Sequence, residues 1–210
     1  MATPVIAVLS GDLIASTTLP PAALRAAHDS LRSAAENIAK WPTVASPTCF
    51  TINRGDGWQI ILAQPAYALR ASLYIQAVLM RDNNGLQTKV AIATGTASLP
   101  KSGDLNTASG PAFVASGHAL DTLKSAQMVH ADGGAIAAAT HLAGHIAQGW
   151  TQAQCRTLAL MLPPDSGPRS DAAYRLDISR QAVDQSLTAA TYPPLTAALA
   201  MIESTAHHGA

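Results

Sequence analysis

Charge, aromatic rings and cysteine are all scarce in this chain. Only 12% of its 210 residues are Asp, Glu, Lys or Arg, and the thirteen basic residues balance the thirteen acidic ones. No global field therefore draws it toward DNA or an anionic membrane, and any nucleic-acid contact must be local. Aromatic residues make up 4% against 48% hydrophobic residues overall. The core must be filled by Ala, Leu, Ile and Val, a composition that packs helices closely on a sheet and excludes collagenous and disordered chains. The two cysteines, Cys49 and Cys155, lie far apart with no Cys/His ligand spacing. They point to reduced thiols rather than a zinc site or disulfide scaffold, and so to a cytoplasmic address. No basic leader precedes the apolar run at residues 5–9, which is too short to span a bilayer, so no membrane attachment is expected.

What is present is periodicity. Residues 5–9 are apolar throughout, as expected of a strand buried on both faces in the middle of a sheet. Pro20-Pro21 opens a helix over 22–40, with Leu24, Ala27, Leu31, Ala35 and Ile38 at helical spacing. Residues 49–52 and 58–62 read as two short strands around the turn Asn53-Arg54-Gly55-Asp56-Gly57, a hairpin. Pro65 opens a second helix to Arg81; residues 89–95 form a further strand, 111–124 a third helix and 128–130 a last short strand. The order β-α-β-β-α-β with an extra α-β predicts an α+β fold, a ferredoxin-like sheet with helices on one face.

An Ala-rich helix over 134–148 leads away from the sheet, and the texture changes at Trp150. The expected division is a sheet domain over 1–133, a linker helix within 134–150 and an all-α domain over 151–210. Thr151 caps a helix to Leu162, and Pro163-Pro164-Asp165-Ser166-Gly167-Pro168 breaks it. A helix from Ser170 stops at Leu176-Asp177, and Ser179 caps the next. With Ala173, Leu176, Ile178 and Val183 inward this is a helix-turn-helix pattern, braced by a last helix over 193–203. Its DNA-reading face is Ser179, Arg180, Gln181 and Asp184, with Arg169 and Arg175 placed to touch phosphates. The same packing also serves protein docking, and Asp177 and Asp184 offset the local positive charge.

Asp12 directly follows the first strand, and Asp56 sits in the hairpin turn. In a ferredoxin-like sheet the first strand neighbours the third, so the two carboxylates converge at one edge. Such a pair suits Mg²⁺ or Mn²⁺; Mg²⁺ in particular takes one or two carboxylates plus phosphate oxygens. The loop from Gly11 through Leu13, Ile14, Ala15 and Ser16 to Thr17 runs into a helix and offers backbone N–H groups and two hydroxyls to a phosphate, with Arg54 and Gly55 bordering it from the hairpin. Each aspartate alone is also what an ordinary turn or cap uses. Their agreement in topology points to a metal–nucleotide site.

Four segments, Val8-Leu9-Ser10-Gly11-Asp12-Leu13-Ile14-Ala15-Ser16, Arg54-Gly55-Asp56-Gly57-Trp58-Gln59, Lys89-Val90-Ala91-Ile92-Ala93-Thr94-Gly95 and the run from Ser109 to Leu120, together resemble the SatD family over nearly the whole chain. More distantly, they resemble the class III adenylate/guanylate cyclase domain over residues 5–130. The cyclase resemblance implies two metal ions on Asp12 and Asp56, a purine nucleotide as ligand, and a site built across a homodimer. In that pattern the helix after the fourth strand carries an asparagine for the ribose and an arginine for transition-state charge. Those positions hold Val114 and His118 here, and the base-selecting lysine falls near Ile52. His118, charged beside a triphosphate, is the catalytic candidate to replace the arginine. The expectation is a regulatory or signalling protein with a cyclase-like Mg-nucleotide domain coupled to a DNA-binding helix-turn-helix. The alternatives are a degenerate but active cyclase or nucleotidyltransferase, converting a nucleoside triphosphate to a cyclic nucleotide plus pyrophosphate, and a non-catalytic DNA-binding or dimerisation scaffold.

Overall fold

The structure, a computed structural model, describes residues 5–42, 49–53, 55–98 and 105–205. Its strands are β1 (Val5–Leu13), β2 (Phe50–Ile52), β3 (Gly57–Leu62), β4 (Thr88–Thr96) and β5 (Met128–His130), joined in one sheet in the order β2-β3-β1-β4-β5. The first four run antiparallel to their neighbours, and β5 lies parallel to β4. With α1 (Pro21–Ile38) between β1 and β2, and α2 (Ala68–Asp82) between β3 and β4, this is the expected α+β, ferredoxin-like arrangement, extended by α3 (Pro111–Asp121) and β5.

The central strand β1 does not stop where its apolar run stops but continues to Leu13, so Ser10-Gly11-Asp12 belong to the sheet and not to a loop. Glycine makes this possible: a Cβ on Gly11 would lie 2.3 Å from the Trp58 ring and 2.7 Å from the Lys89 carbonyl oxygen. No side chain fits there.

Helices cover both faces of the sheet, which corrects the one-sided expectation. Ala7, Leu9 and Leu13 face α1 and α2, whereas Ile6, Val8 and Ile61 join Ala112 of α3 and Leu105 in a second, smaller cluster. The cause is in β1 and β3 themselves. Both are apolar on their two faces, so a second cover is needed to keep Ile6, Val8 and Ile61 from water.

Beyond the sheet, α4 (Gly134–Gln148) lies against β5 so closely that a Cβ on Gly144 would sit 2.8 Å from that of Met128. After Trp150, which is anchored by its indole N–H donating to the Ala190 carbonyl at 3.0 Å, come α5 (Gln152–Met161), α6 (Arg169–Leu176), α7 (Arg180–Ala189) and α8 (Tyr192–Thr205). Thr151 and Gln154 form a reciprocal capping box on α5, and the Ser179 hydroxyl accepts from the Ala182 N–H at the start of α7, as those caps predict. Ala173 and Val183 are buried between the helices, but Ile178 is 41% exposed, because it lies in the α6–α7 turn beyond the left-handed Asp177. α5 packs on the side of α2 that faces away from the sheet, so residues 68–80 of α2 are all buried and one apolar core runs from β1 to α8. Cys49 and Cys155 are not joined in a disulfide, and burial pushes the Cys155 thiol up to about 12. Among the described residues no helix is long and apolar enough to cross a membrane.

Candidate functional site

Strand register places the site. Asp12 lies opposite Gly57 on β3 and Lys89 on β4, and Asp56 is the residue before Gly57. The two aspartates thus lie at the same end of the sheet. A Cβ on Gly57 would come within 3.2 Å of Asp12 Oδ1, so the glycine leaves that carboxylate room. Each carboxylate already has a partner: Lys89 Nζ stands 3.0 Å from Asp12 Oδ2, and the Ser16 hydroxyl donates to Asp56 Oδ2. The Thr88 hydroxyl donates to the Asp12 carbonyl at 2.7 Å and accepts from the Trp58 indole N–H at 3.0 Å. That chain of bonds holds the Asp12 backbone to its neighbours on both sides.

This end of the sheet opens on a cleft of about 720 Å³ beneath α3, lined by Asp12, Asn53, Gln59, Asn106, Gly117 and Asp121, among others. Gln59 Nε2 donates to Ser10 Oγ at 3.2 Å, and Ser10 Oγ meets Ser116 Oγ at 2.9 Å, tying α3 to β1. The polar lining consists of carboxylates, carboxamides and hydroxyls, all oxygen donors of the kind a hard divalent cation takes. Among the described residues no group of three or more His, Cys, Asp and Glu side chains gathers to hold a metal. Mg²⁺ can be held by one or two carboxylates when phosphate and water complete its shell, and of the two aspartates Asp12 lines this cleft.

The remaining expected residues fall in three places. Gly11 and Leu13 lie within β1, and the Leu13 and Ile14 amides donate to the carbonyls of Asp56 (3.4 Å) and Gln87 (2.9 Å). Those two amides close the sheet and do not face a phosphate, which corrects the loop expectation for this stretch. Ala15 turns left-handed (φ 56°), Ser16 and Thr17 follow in a single 3-10 turn, and Gly55 is exposed in the hairpin turn. Arg54 lies outside the described residues. His118 and Val114 are exposed on α3 and do not line the cleft, whereas Gly117 and Asp121 of the same helix do.

On the helical side, Ser179, Arg180 and Gln181 are exposed together at the start of α7. Asp184 Oδ1 lies 2.6 Å from Arg169 Nη1, so this pair joins α7 to α6. Arg175 is exposed near the end of α6 and borders a polar cleft of about 310 Å³ with Lys40 and Arg81. Each of these three cations follows or ends a helix, where it offsets the negative end of the helix dipole.

Sequence reasoning missed Lys89, Asn53, Gln59, Asn106 and Asp121. Gln59 carried a signal, being the single polar residue in Trp58-Gln59-Ile60-Ile61-Leu62, and Asp121 stands one helical turn after Gly117. Lys89 carried none, because only strand register places it against Asp12.

No protein-family model matches the chain, and no curated protein matches it in sequence. Among solved structures it is similar to a Trypanosoma brucei adenylate cyclase described in its monomeric state. The two chains are 15% identical with a TM-score of 0.47, over 61% of this chain and 73% of the other.

Proposed function

We propose that the chain is a regulatory or signalling protein of the SatD family whose sheet domain binds a purine nucleotide with Mg²⁺ or Mn²⁺ and whose C-terminal helices bind DNA. The observation that carries this reading is strand register, which sets Asp12, in the lining of a cleft of about 720 Å³, beside the hairpin turn that holds Asp56. Asp12 and Asp56 would hold the cation, which when bound neutralises phosphate charge. Lys89, 3.0 Å from Asp12, is the cation of the chain itself that can turn from the carboxylate to a phosphate oxygen. The carboxamides of Asn53 and Gln59 can donate and accept, as the edges of a base or the hydroxyls of a ribose require.

Binding is favoured over cyclisation because the positions that the cyclase resemblance assigns to ribose and transition-state charge hold Val114 and His118 in place of an asparagine and an arginine. The loss of one such preorganised group costs about 3–4 kcal/mol in comparable sites. The DNA-binding half rests on the exposed trio Ser179, Arg180 and Gln181 at the start of a capped helix. A homodimer is the assembly both halves imply, since paired half-sites and shared nucleotide sites are each built on twofold symmetry.

Thermal denaturation with nucleoside triphosphates, with and without Mg²⁺ or Mn²⁺, tests the first half. A ligand at about 100 times its dissociation constant adds roughly 2.7 kcal/mol, a rise in Tm of roughly 5–10 °C for a chain of this size. The rise should require the cation and vanish in both Asp12→Asn and Asp56→Asn; a rise that survives in both sinks the site. Fluorescence anisotropy with duplex DNA tests the second half. Binding that Arg180→Ala and Gln181→Ala leave unchanged removes α7 as the reading helix.

A further inference from the structure

Asp12 already carries a cation of the chain's own. Lys89 Nζ lies 3.0 Å from Asp12 Oδ2, and among the described residues Lys89 enters no other ion pair. The pairing is a product of the sheet. Asp12 of β1 and Lys89 of β4 are register partners on neighbouring strands, and directly opposed residues of an antiparallel pair put their side chains on one face, close enough to interact. The Thr88 hydroxyl, next to Lys89 in β4, donates to the Asp12 carbonyl and fixes the two backbones to each other. Strand geometry, and not a loop, therefore delivers this ammonium to this carboxylate.

The pair is strong enough to matter and weak enough to open. Its side chains are 20% and 31% exposed, and a pair so open to water holds only modestly. Against a divalent cation it still acts in two ways. Oδ2 is taken, and the ammonium repels any ion that approaches the remaining oxygen, Oδ1, beside which Gly57 leaves room. Asp56 presents no such barrier, because its partner is the Ser16 hydroxyl, a neutral donor. The obstacle is specific to Asp12.

An anion that Lys89 can turn to removes it. Lysine is a compact charge on a flexible stem, so a phosphate oxygen arriving with the cation offers the ammonium a new partner and leaves the carboxylate to the metal. Binding of cation and phosphate is then linked, and linkage is reciprocal: each raises the affinity of the other by the same factor.

We propose that Lys89 competes with the divalent cation for Asp12 and so couples cation binding to the arrival of a phosphate. This rests on the cation site read above at Asp12, and adds how that site is kept from loading with the bare ion.

The probe is Mn²⁺ alone, titrated into the full chain and followed by loss of the free-ion electron paramagnetic resonance signal. Lys89→Met drops the charge and keeps the reach of the side chain; it should bind Mn²⁺ roughly three- to tenfold more tightly than the unaltered chain. Lys89→Arg, which keeps the charge, should not. Asp12→Asn should weaken binding, and in that background Lys89→Met should make no further difference. If Lys89→Met loses its cooperative thermal unfolding, Lys89→Gln takes its place. Added inorganic phosphate should tighten Mn²⁺ binding in the unaltered chain and not in the neutral variant.

Unchanged Mn²⁺ affinity in the folded neutral variant overturns the competition and leaves the cation site standing. So does an equal gain in the Asp12→Asn background, which would make Lys89 a distant charge and not a competitor. Phosphate that acts on both chains alike overturns the coupling. Mn²⁺ binding that Asp12→Asn leaves intact, or no binding by any variant, removes the cation site itself and the inference with it.

Discussion

His130 ends β5 with its imidazole almost wholly removed from water, and burial outweighs the attraction of Asp132 in lowering its pKa. The unfolded chain therefore takes up the proton more readily than the folded one. Stability gained by keeping the ring neutral is complete above the ordinary histidine value of about 6.5 and is lost as pH falls below it toward the depressed folded value. Thermal denaturation between about pH 7.5 and pH 5 should show Tm falling in the acid half of the range, with a flatter curve for His130→Asn; identical slopes would assign the loss to other groups. At this scale the sequence was legible where a residue broke its local pattern. Asp12 and Asp56 stood out at the ends of apolar runs, and strand register sets them at the same end of the sheet. Lys89 did not stand out, because a lysine at the start of a strand is ordinary until the partner strand is known.

Among the elements, α4 shows packing overriding helix propensity. Replacing a glycine inside a helix with alanine normally gains up to about 1 kcal/mol. At Gly144 the new Cβ would meet Met128 at 2.8 Å, and overpacking of that kind costs roughly 1–3 kcal/mol. Gly144→Ala should therefore lower stability in urea denaturation, and an increase would mean that α4 can lift from β5 without loss. The helices and strands themselves were largely readable from period and punctuation: β5 and α4 fall on the expected residues, and Ser179 caps α7 as expected. Two features were not. The extension of β1 through Ser10-Gly11-Asp12 is hidden because those residues serve the cleft and so break the apolar run, and the exposed Ile178 reads as core only if the α6–α7 turn is taken as helical.

For the molecule as a whole, the most consequential contact is Arg70 with Glu203. Arg70 Nε and Nη2 meet the two carboxylate oxygens at 2.6 and 2.8 Å, Nη1 donates to the Leu162 carbonyl at 3.0 Å, and the two side chains are 9% and 12% exposed. The bond spans α2 and α8 and adds a largely buried fork to the apolar core that already joins the sheet to the C-terminal helices. Leaving one member of such a pair alone costs about 3–5 kcal/mol, whereas replacing both by apolar side chains is often neutral. Glu203→Gln should lower Tm by roughly 6–20 °C on the scale for this chain length, and the double variant Arg70→Met with Glu203→Leu should recover most of it. Two losses that simply add would show that the groups do not act as a pair. This joining was only half legible. The sequence of α2 is apolar on nearly every side, which marks a helix covered all round, but nothing in it says that the cover comes from residues beyond Trp150.

Trp58, sealed beneath Asp12 with only 1% of its surface exposed, gives the protein an optical property as well as a structural one. It borders the cleft beneath α3, while Trp41 and Trp150 are buried away from it. With those two replaced by phenylalanine, the ultraviolet emission of the chain comes from a single indole at the floor of the site. Occupancy can then be followed as colour and lifetime of light from inside the molecule, with no label attached.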